Sequence, residues 1–91
     1  MKINAIDING NVKEYDTILT FYSDEYDKHY IVYTDNKYNE NDELNIYFNS
    51  YNPNDVEIKV KDIEDKNEYN KIKTEINSIL LTMKNENDRL N

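Results

Sequence analysis

The chain of 91 residues has no cysteine, one glycine, one proline and one histidine, and these shortages exclude several kinds of site. Without cysteine, no disulfide, thiolate metal site or thiol nucleophile can form, which fits a protein of the reducing cytoplasm. A single glycine excludes a glycine-rich phosphate loop, and a single histidine excludes the HExxH zinc motif. We therefore expect no cofactor, no bound metal and no enzymatic activity.

Long apolar runs are also absent. The longest aliphatic run is Ile79-Leu80-Leu81, far shorter than the roughly 20 residues of a membrane helix. Ile, Leu, Val and Phe total 22 of 91 residues, just above the level of about 20% at which disorder is the default. Nine tyrosines add further bulk to the core. We expect one folded cytoplasmic domain at residues 1–84 and a frayed tail at residues 85–91.

Acidic residues concentrate in the middle of the chain. Residues 14–57 contain eleven acids and two lysines, whereas charges nearly cancel elsewhere, and the net charge is −8. This negative field argues against nucleic acid or an anionic membrane as a ligand. It favours another protein with a basic surface as the partner.

The sequence pattern predicts an antiparallel meander of four to five strands. A hairpin around Asn9-Gly10, a dipeptide suited to a type I′ turn, joins the first strand to one at about residues 12–22. Residues 29–34 are apolar on both faces, which is typical of a central strand. Residues 35–43 are predicted to be a loop, and residues 52–55 a turn.

Alternation predicts which side chains share a face of each strand. In the second strand, Ile18, Thr20 and Tyr22 are expected on one face and Leu19 and Phe21 on the other. In the two last strands, the apolar positions are expected to face inward: Leu44, Ile46, Phe48, Val56, Ile58 and Val60. Asn45, Tyr47, Asn49 and Tyr51 then point the opposite way.

The apolar period changes near the C-terminus from two to about 3.6, which predicts a helix. One stripe contains Tyr69, Ile72, Ile76, Ile79, Leu80 and Met83. Asp65 followed by Glu68 resembles a capping box at the start of this helix. Strands followed by one amphipathic helix indicate an α+β domain, with the helix covering one face of the sheet.

The stretch from Leu19 to Thr34 resembles the YrzB-like family of small acidic bacterial proteins, domain of unknown function 1292. The shared features are Phe21 before an acidic turn, Lys28 at the end of that turn, and the Tyr30-x-x-Tyr33 strand. An acidic loop, a tyrosine-bearing strand and a helix that opens with Glu68-Tyr69 follow, so the resemblance spans residues 3–83. Family members are often more acidic at both ends and carry Trp at the position of Tyr69. The resemblance implies a cytoplasmic bacterial domain, and it transfers no catalytic residue.

Several polar features have both an ordinary and a functional interpretation. His29 is either a surface or packing residue, or a base or ligand. The stretch that begins at Asp7 resembles a calcium loop, but Val12 replaces its glycine and Ile18 its bidentate Glu, so a hairpin turn is the better interpretation. The loop acids Asp35, Glu40, Asp42 and Glu43 either stay hydrated or hold a hard cation weakly.

The tyrosines opposite the helix give the sharpest functional hypothesis. Tyr47 and Tyr51, with Tyr33 nearby, form a binding patch, or they simply favour the strand and pack across it, or they mediate a homodimer. We expect a monomer or weak homodimer. The leading hypothesis is a protein-binding module in which Tyr33, Tyr47 and Tyr51 contact the partner and Asp42 and Glu43 steer it. The alternative is a nucleic-acid mimic that inhibits a DNA-binding protein or nuclease.

Overall fold

In the computed structural model, a five-stranded antiparallel sheet is followed by one long helix, which confirms the α+β prediction. The structure describes residues 2–6, 12–56 and 59–90, and side chains within 13–56 and 59–84. Neighbouring strands follow chain order from β1 to β5, as a meander requires. The elements are β1 (Lys2–Ile6), β2 (Val12–Ser23), β3 (Lys28–Tyr38), β4 (Leu44–Tyr51), β5 (Val60–Lys61) and α1 (Lys66–Leu90).

The turn at residues 52–55 agrees with the turn chemistry of the sequence. Ile6 pairs with Val12 across the first hairpin, but residues 7–11, which include the Asn9-Gly10 turn and most of the calcium-loop candidate, lie outside the described residues. Around Pro53, the Asn52 side chain accepts a hydrogen bond from the Asn54 N–H at 2.9 Å. Such an Asx turn is the structure that Asn-Pro-Asn predicts.

The acidic loop is shorter than predicted. Residues 35–43 were expected to be a loop, but β3 continues to Tyr38, which pairs with Leu44. β3 continues through this polar segment with a shift of register between Thr34 and Tyr38, where Asn36 has a φ of 64°. Asn tolerates this left-handed conformation better than most residues, so the irregularity absorbs the polar segment without ending the strand.

The main core lies between the sheet and one stripe of α1. Tyr30 and Val32 from β3 pack with Ile72 and Ile76 from the helix, and all four side chains are buried. Seven partly buried side chains surround them: Ile18, Leu19, Phe21, Tyr26, Phe48, Ile63 and Leu80. The helix therefore covers the face of the sheet that carries Phe48, as the alternation of β4 predicts.

A β-bulge in β2 changes its alternation. Thr17 pairs with Tyr33 but Leu19 pairs with Val32, so Ile18 is the extra residue. Ile18 therefore joins Leu19 against the helix-side core, and the prediction that the two lie on opposite faces is wrong. A bulge puts two residues of one strand opposite one of its partner. It also reverses the face of every residue before it, including Tyr15.

The prediction of the last strand, with Val56, Ile58 and Val60 facing inward, is mostly wrong. Val56 is fully exposed, Ile58 lies outside the described residues, and β5 begins only at Val60. Val60 pairs with Tyr51 and packs with Ile31 and Tyr33, away from the helix. The inward contact that this strand was expected to supply comes instead from Ile63, in the linker before α1.

The helix begins with half of the predicted capping box. Asp65 Oδ1 accepts a hydrogen bond from the Glu68 N–H at 2.9 Å, as an N-cap should. The Glu68 carboxylate does not complete the box. It accepts a 2.6 Å hydrogen bond from the Tyr30 hydroxyl and forms an ion pair with Lys28 at 3.2 Å. Glu68 turns inward because it lies four residues before Ile72, on the buried stripe.

Candidate functional site

The sheet face opposite α1 carries six aromatic side chains, and we call it the tyrosine face. It is built by the central strands, because register places His29 between Tyr22 and Tyr51, and Tyr33 beside Tyr47. Tyr15 joins them because the bulge at Ile18 turns the first half of β2 to this side. The aromatic members are Tyr15, Tyr22, His29, Tyr33, Tyr47 and Tyr51.

Three tyrosine rings form a cluster at one end of this face. Tyr33 stacks on Tyr47 with ring centroids 5.6 Å apart, and Tyr15 meets Tyr33 edge-on at 5.2 Å. Tyr15 also contacts Tyr47 edge-on at 6.0 Å. Tyr47 therefore contacts two other aromatic rings although 40% of this residue is exposed.

The hydroxyl groups of this cluster have fixed partners. Tyr33 donates to Asn49 Oδ1 at 2.5 Å, and Tyr47 donates to Asp35 Oδ2 at 3.1 Å. Burial raises the pKa of Tyr33 to about 12. Burial, followed by the bond to Asp35, raises the pKa of Tyr47. Both phenols are therefore neutral at physiological pH, and the cluster presents aromatic rings rather than phenolates.

Asp35 supplies a negative charge directly beside the cluster. The backbone N–H of Lys37 donates to Asp35 Oδ1 at 2.9 Å. This bond, supported by the one from Tyr47, lowers the pKa of Asp35, so its carboxylate is ionised at neutral pH. A second acid, Asp16, accepts a bond from the Asn36 side chain at 2.6 Å, but it lies between Tyr15 and Thr17 in β2 and therefore points to the other side of the sheet. Asp35 is thus the acid that the structure places beside the tyrosine cluster.

The five residues predicted to bind a partner do not form one group. Tyr33, Tyr47 and Tyr51 lie on the same face, but Tyr33 is only 8% exposed and supports its neighbours instead of offering surface. Asp42 and Glu43 are exposed in the β3–β4 loop. At about 3.4 Å per residue along β4, Glu43 lies roughly 27 Å from Tyr51. The role of these residues in partner binding stays a prediction.

The loop that carries the two acids has a defined conformation. Asn39 Oδ1 accepts hydrogen bonds from the N–H groups of Asn41 and Glu43, at 2.8 and 3.1 Å. Asp42 has a φ of 60° and donates its N–H to the Asn39 carbonyl. Within the part of the chain that the structure describes, no three acids or histidines are grouped to hold a metal ion.

A second aromatic row crosses the other end of the face. His29 lies between Tyr22 and Tyr51, with ring centroids 5.0 and 6.1 Å away. His29 is half-buried, so its position matches the packing interpretation better than that of a ligand. Between the two rows, Ile31 is completely buried. A small second core of Ile31 and Tyr33 therefore joins the two rows of the tyrosine face.

Sequence reasoning missed two members of the site, Tyr15 and Asp35. Tyr15 reaches the cluster only through the bulge, for which the one local sign is the adjacent apolar pair Ile18-Leu19. Asp35 was assigned to the loop, whereas strand parity after Tyr33 places it beside Tyr47. Tyr15 depends on a shift of register in β2, and Asp35 on the continuation of β3 beyond Thr34, and the residue pattern did not predict either one.

The chain resembles two bacterial proteins over most of its length. A UPF0473 protein of Leuconostoc mesenteroides subsp. mesenteroides is 31% identical over 83 residues, which cover 87% of this chain and 84% of the relative. A UPF0473 protein of Bacillus pumilus is 30% identical over 81 residues, covering 87% and 85%. The chain belongs to the UPF0473 family.

The UPF0473 relatives identify a family of small bacterial proteins, and their names state no activity, ligand or partner. The narrower YrzB-like name stays a resemblance. No family model matches the chain, and no solved structure matches it either. None of the helical segments in the described residues is long and apolar enough to cross a membrane.

Proposed function

We propose that this UPF0473 protein is a non-enzymatic protein-binding module of the bacterial cytoplasm, which binds a basic partner through its tyrosine face. The observation that supports the proposal is the set of contacts around Tyr47. Its ring contacts Tyr15 and Tyr33, and its hydroxyl donates to Asp35. A partly exposed ring that already has such contacts loses less side-chain entropy on binding than a ring without them.

Aromatic area and negative charge act together in this proposal. Tyrosine is enriched in the centres of protein interfaces because it offers a large apolar surface with a polar end. The ionised Asp35 beside Tyr47 attracts Lys or Arg of a partner. The negative net charge of the chain, −8, increases the rate of encounter with basic proteins.

The nucleic-acid mimic is the weaker alternative. Mimicry requires free carboxylates in two rows at the spacing of phosphates. On the tyrosine face, Asp35 instead accepts a hydrogen bond from Tyr47. A carboxylate that is bonded beside an exposed ring favours a protein partner.

A pull-down from the native cytosol tests the proposal. The tagged chain is compared with a Tyr47→Ala/Tyr51→Ala variant and with Leu81→Ala, a control that removes another exposed apolar side chain from the helix. We expect wild type and Leu81→Ala to recover the same partner, and the double variant to lose it. Recovery should also fall as salt rises above about 0.15 M, because the steering charges are exposed.

Circular dichroism establishes that each variant is folded before the pull-down is interpreted. If the folded double variant recovered the same partners as wild type, the tyrosine face would not be the binding surface. Partner recovery that did not change with salt would contradict the role of the acids.

A further inference from the structure

The outer edge of β4 is largely unpaired in the described part of the chain. β4 extends from Leu44 to Tyr51 and pairs with β3 at Leu44 and from Ile46 to Tyr51, but β5 pairs only with Ser50 and Tyr51. The Asn49 side chain donates to the Lys61 carbonyl and to Asp62, where the chain leaves the sheet. Residues 44–49 therefore present backbone donors and acceptors at an edge that no described strand occupies.

This edge lacks the usual protection against pairing. Edge strands in soluble proteins commonly carry lysine, proline or an inward-pointing charge, which discourage a second strand from adding. The sequence of β4, LNIYFNSY, contains no charged residue and no proline. Its pairing with β3 is regular from residue 46 to residue 51, so no bulge interrupts this part of the strand.

A cavity of about 360 Å³ lies along the same edge. Tyr47 borders it on the tyrosine face, while Ile46, Phe48 and Tyr69 border it on the helix side. Ile46, Tyr47 and Tyr69 are each about 40% exposed. Side chains of an added strand alternate between the two faces, so they would cover exposed apolar surface on both sides of the edge.

Charge indicates what kind of strand fits. Among the described residues that line the cavity, Asp62 is the only charged one. The ionised Asp35 lies beside Tyr47, and the exposed Glu43 precedes the edge. A second copy of the chain would bring the same acids and its own net charge of −8 to this edge. Like charges oppose such a dimer, whereas an extended segment with Lys or Arg is attracted.

We propose that residues 44–49 of β4 bind an extended basic segment of another protein as an added antiparallel or parallel strand. The proposal rests on the proposed function and adds the binding mode, since main-chain hydrogen bonds supply affinity and the flanking pockets supply specificity. Six edge residues accommodate a segment of roughly six residues, about 20 Å long.

Peptide titration with purified protein tests this mode without the cellular partner. The probe is the fluorescent peptide Lys-Val-Thr-Val-Thr-Val-Lys, compared with a twin that has Glu at both ends and a version with Pro at its centre. We expect the basic peptide to bind at least about tenfold more tightly than either comparison peptide. Amides of residues 44–49 should gain protection from hydrogen exchange when it binds.

Two variants of equal charge locate the site. Ile46→Lys places a lysine on the edge, whereas Leu81→Lys makes the same change on the exposed side of the helix. We expect Ile46→Lys to weaken peptide binding at least about tenfold and Leu81→Lys to leave it within about twofold. Equal binding of the basic and acidic peptides, no binding, or no effect of Ile46→Lys would overturn the proposal.

The peptide titration and the pull-down can fail independently, so failure of strand addition is distinguishable from failure of the proposed function. If the pull-down partner depends on Tyr47 and Tyr51 but the peptide does not bind the edge, the module stands and strand addition fails. If wild type instead forms a dimer by sedimentation, and Ile46→Lys abolishes it, the occupant of the edge is a second copy and the proposal of a basic partner is wrong.

Discussion

The hydroxyl of Tyr30 lies 2.6 Å from a carboxylate oxygen of Glu68, which joins the centre of the sheet to the first turn of the helix. Both residues are buried, and Lys28 completes the ion pair from the rim at 3.2 Å. A hydrogen bond to a charged group is stronger than a neutral one, and it is costly to leave a buried carboxylate without its donors. The contact therefore fixes where the helix begins on the sheet.

A double-mutant cycle measures this contact. For Tyr30→Phe and Glu68→Gln we expect a coupling energy of about 1 to 2 kcal/mol in urea unfolding, because the pair is buried. The exposed ion pair between Lys71 and Glu25 serves as the matched control. Its cycle should give a clearly smaller coupling energy, since solvent screens this pair. Equal coupling in the two cycles would contradict the role given to Glu68.

Packing of the helix against the sheet is tested by a buried charge. Ile76 is 3% exposed, so Ile76→Asp places a carboxylate in the main core, and we expect the domain to unfold. Leu81→Asp makes the same change at a position that is 60% exposed and should leave the far-ultraviolet spectrum and melting unchanged. A folded Ile76→Asp protein with native spectra would refute the packing.

Alkaline pH should destabilise the protein through its buried tyrosines. Burial raises the pKa of Tyr33 to about 12, and burial with the bond to Glu68 raises that of Tyr30. In the unfolded chain these tyrosines lose their protons near pH 10. Their contribution to the free energy of unfolding is therefore fully present below pH 10 and is lost as pH rises toward the pKa values of the folded state. We expect a loss on the order of 2 kcal/mol from Tyr33 between about pH 10 and 12.

Urea titrations at several alkaline pH values give the test. Tyr33→Phe should make the decline shallower, whereas Tyr38→Phe, at a residue that is 66% exposed, should decline like wild type. A decline of the same slope in Tyr33→Phe and wild type would show that Tyr33 does not carry the effect.

Thr17 offers a stabilising substitution. Its Oγ1 is buried and has no hydrogen-bond partner within the described residues. Thr17→Val removes this hydroxyl and keeps the shape, so we expect an increase of about 0.5 to 1 kcal/mol in the free energy of unfolding. Thr20→Val, at an exposed position of the same strand, should change it by less than about 0.5 kcal/mol. A destabilised Thr17→Val protein would indicate that the hydroxyl is satisfied.

Local pattern was sufficient for most of the fold. Alternation placed Phe48 toward the helix and Tyr47 away from it, and the 3.6-residue period found the stripe that contains Ile72 and Ile76. The pattern failed at residues 56–60, because alternation gives the faces of a strand only if the strand forms. Val56 is exposed and β5 pairs through two residues only.

The candidate site was less predictable because long-range pairing decides its composition. One inserted residue, Ile18, sends Tyr15 to the tyrosine face, and no period reveals a single insertion. Glu68 was assigned to capping, although its distance of four residues from Ile72 already placed it on the buried stripe. A carboxylate on an apolar stripe is therefore the sign that a buried partner should be sought.

Photo-crosslinking from the tyrosine face tests the proposed function most directly. Tyr47, which is 40% exposed, is replaced by the photoreactive p-benzoylphenylalanine in cells, and Leu81 is replaced in a parallel control. We expect light to attach another protein to position 47 and not to position 81. No adduct at position 47, or the same adducts from both positions, would contradict binding through this face.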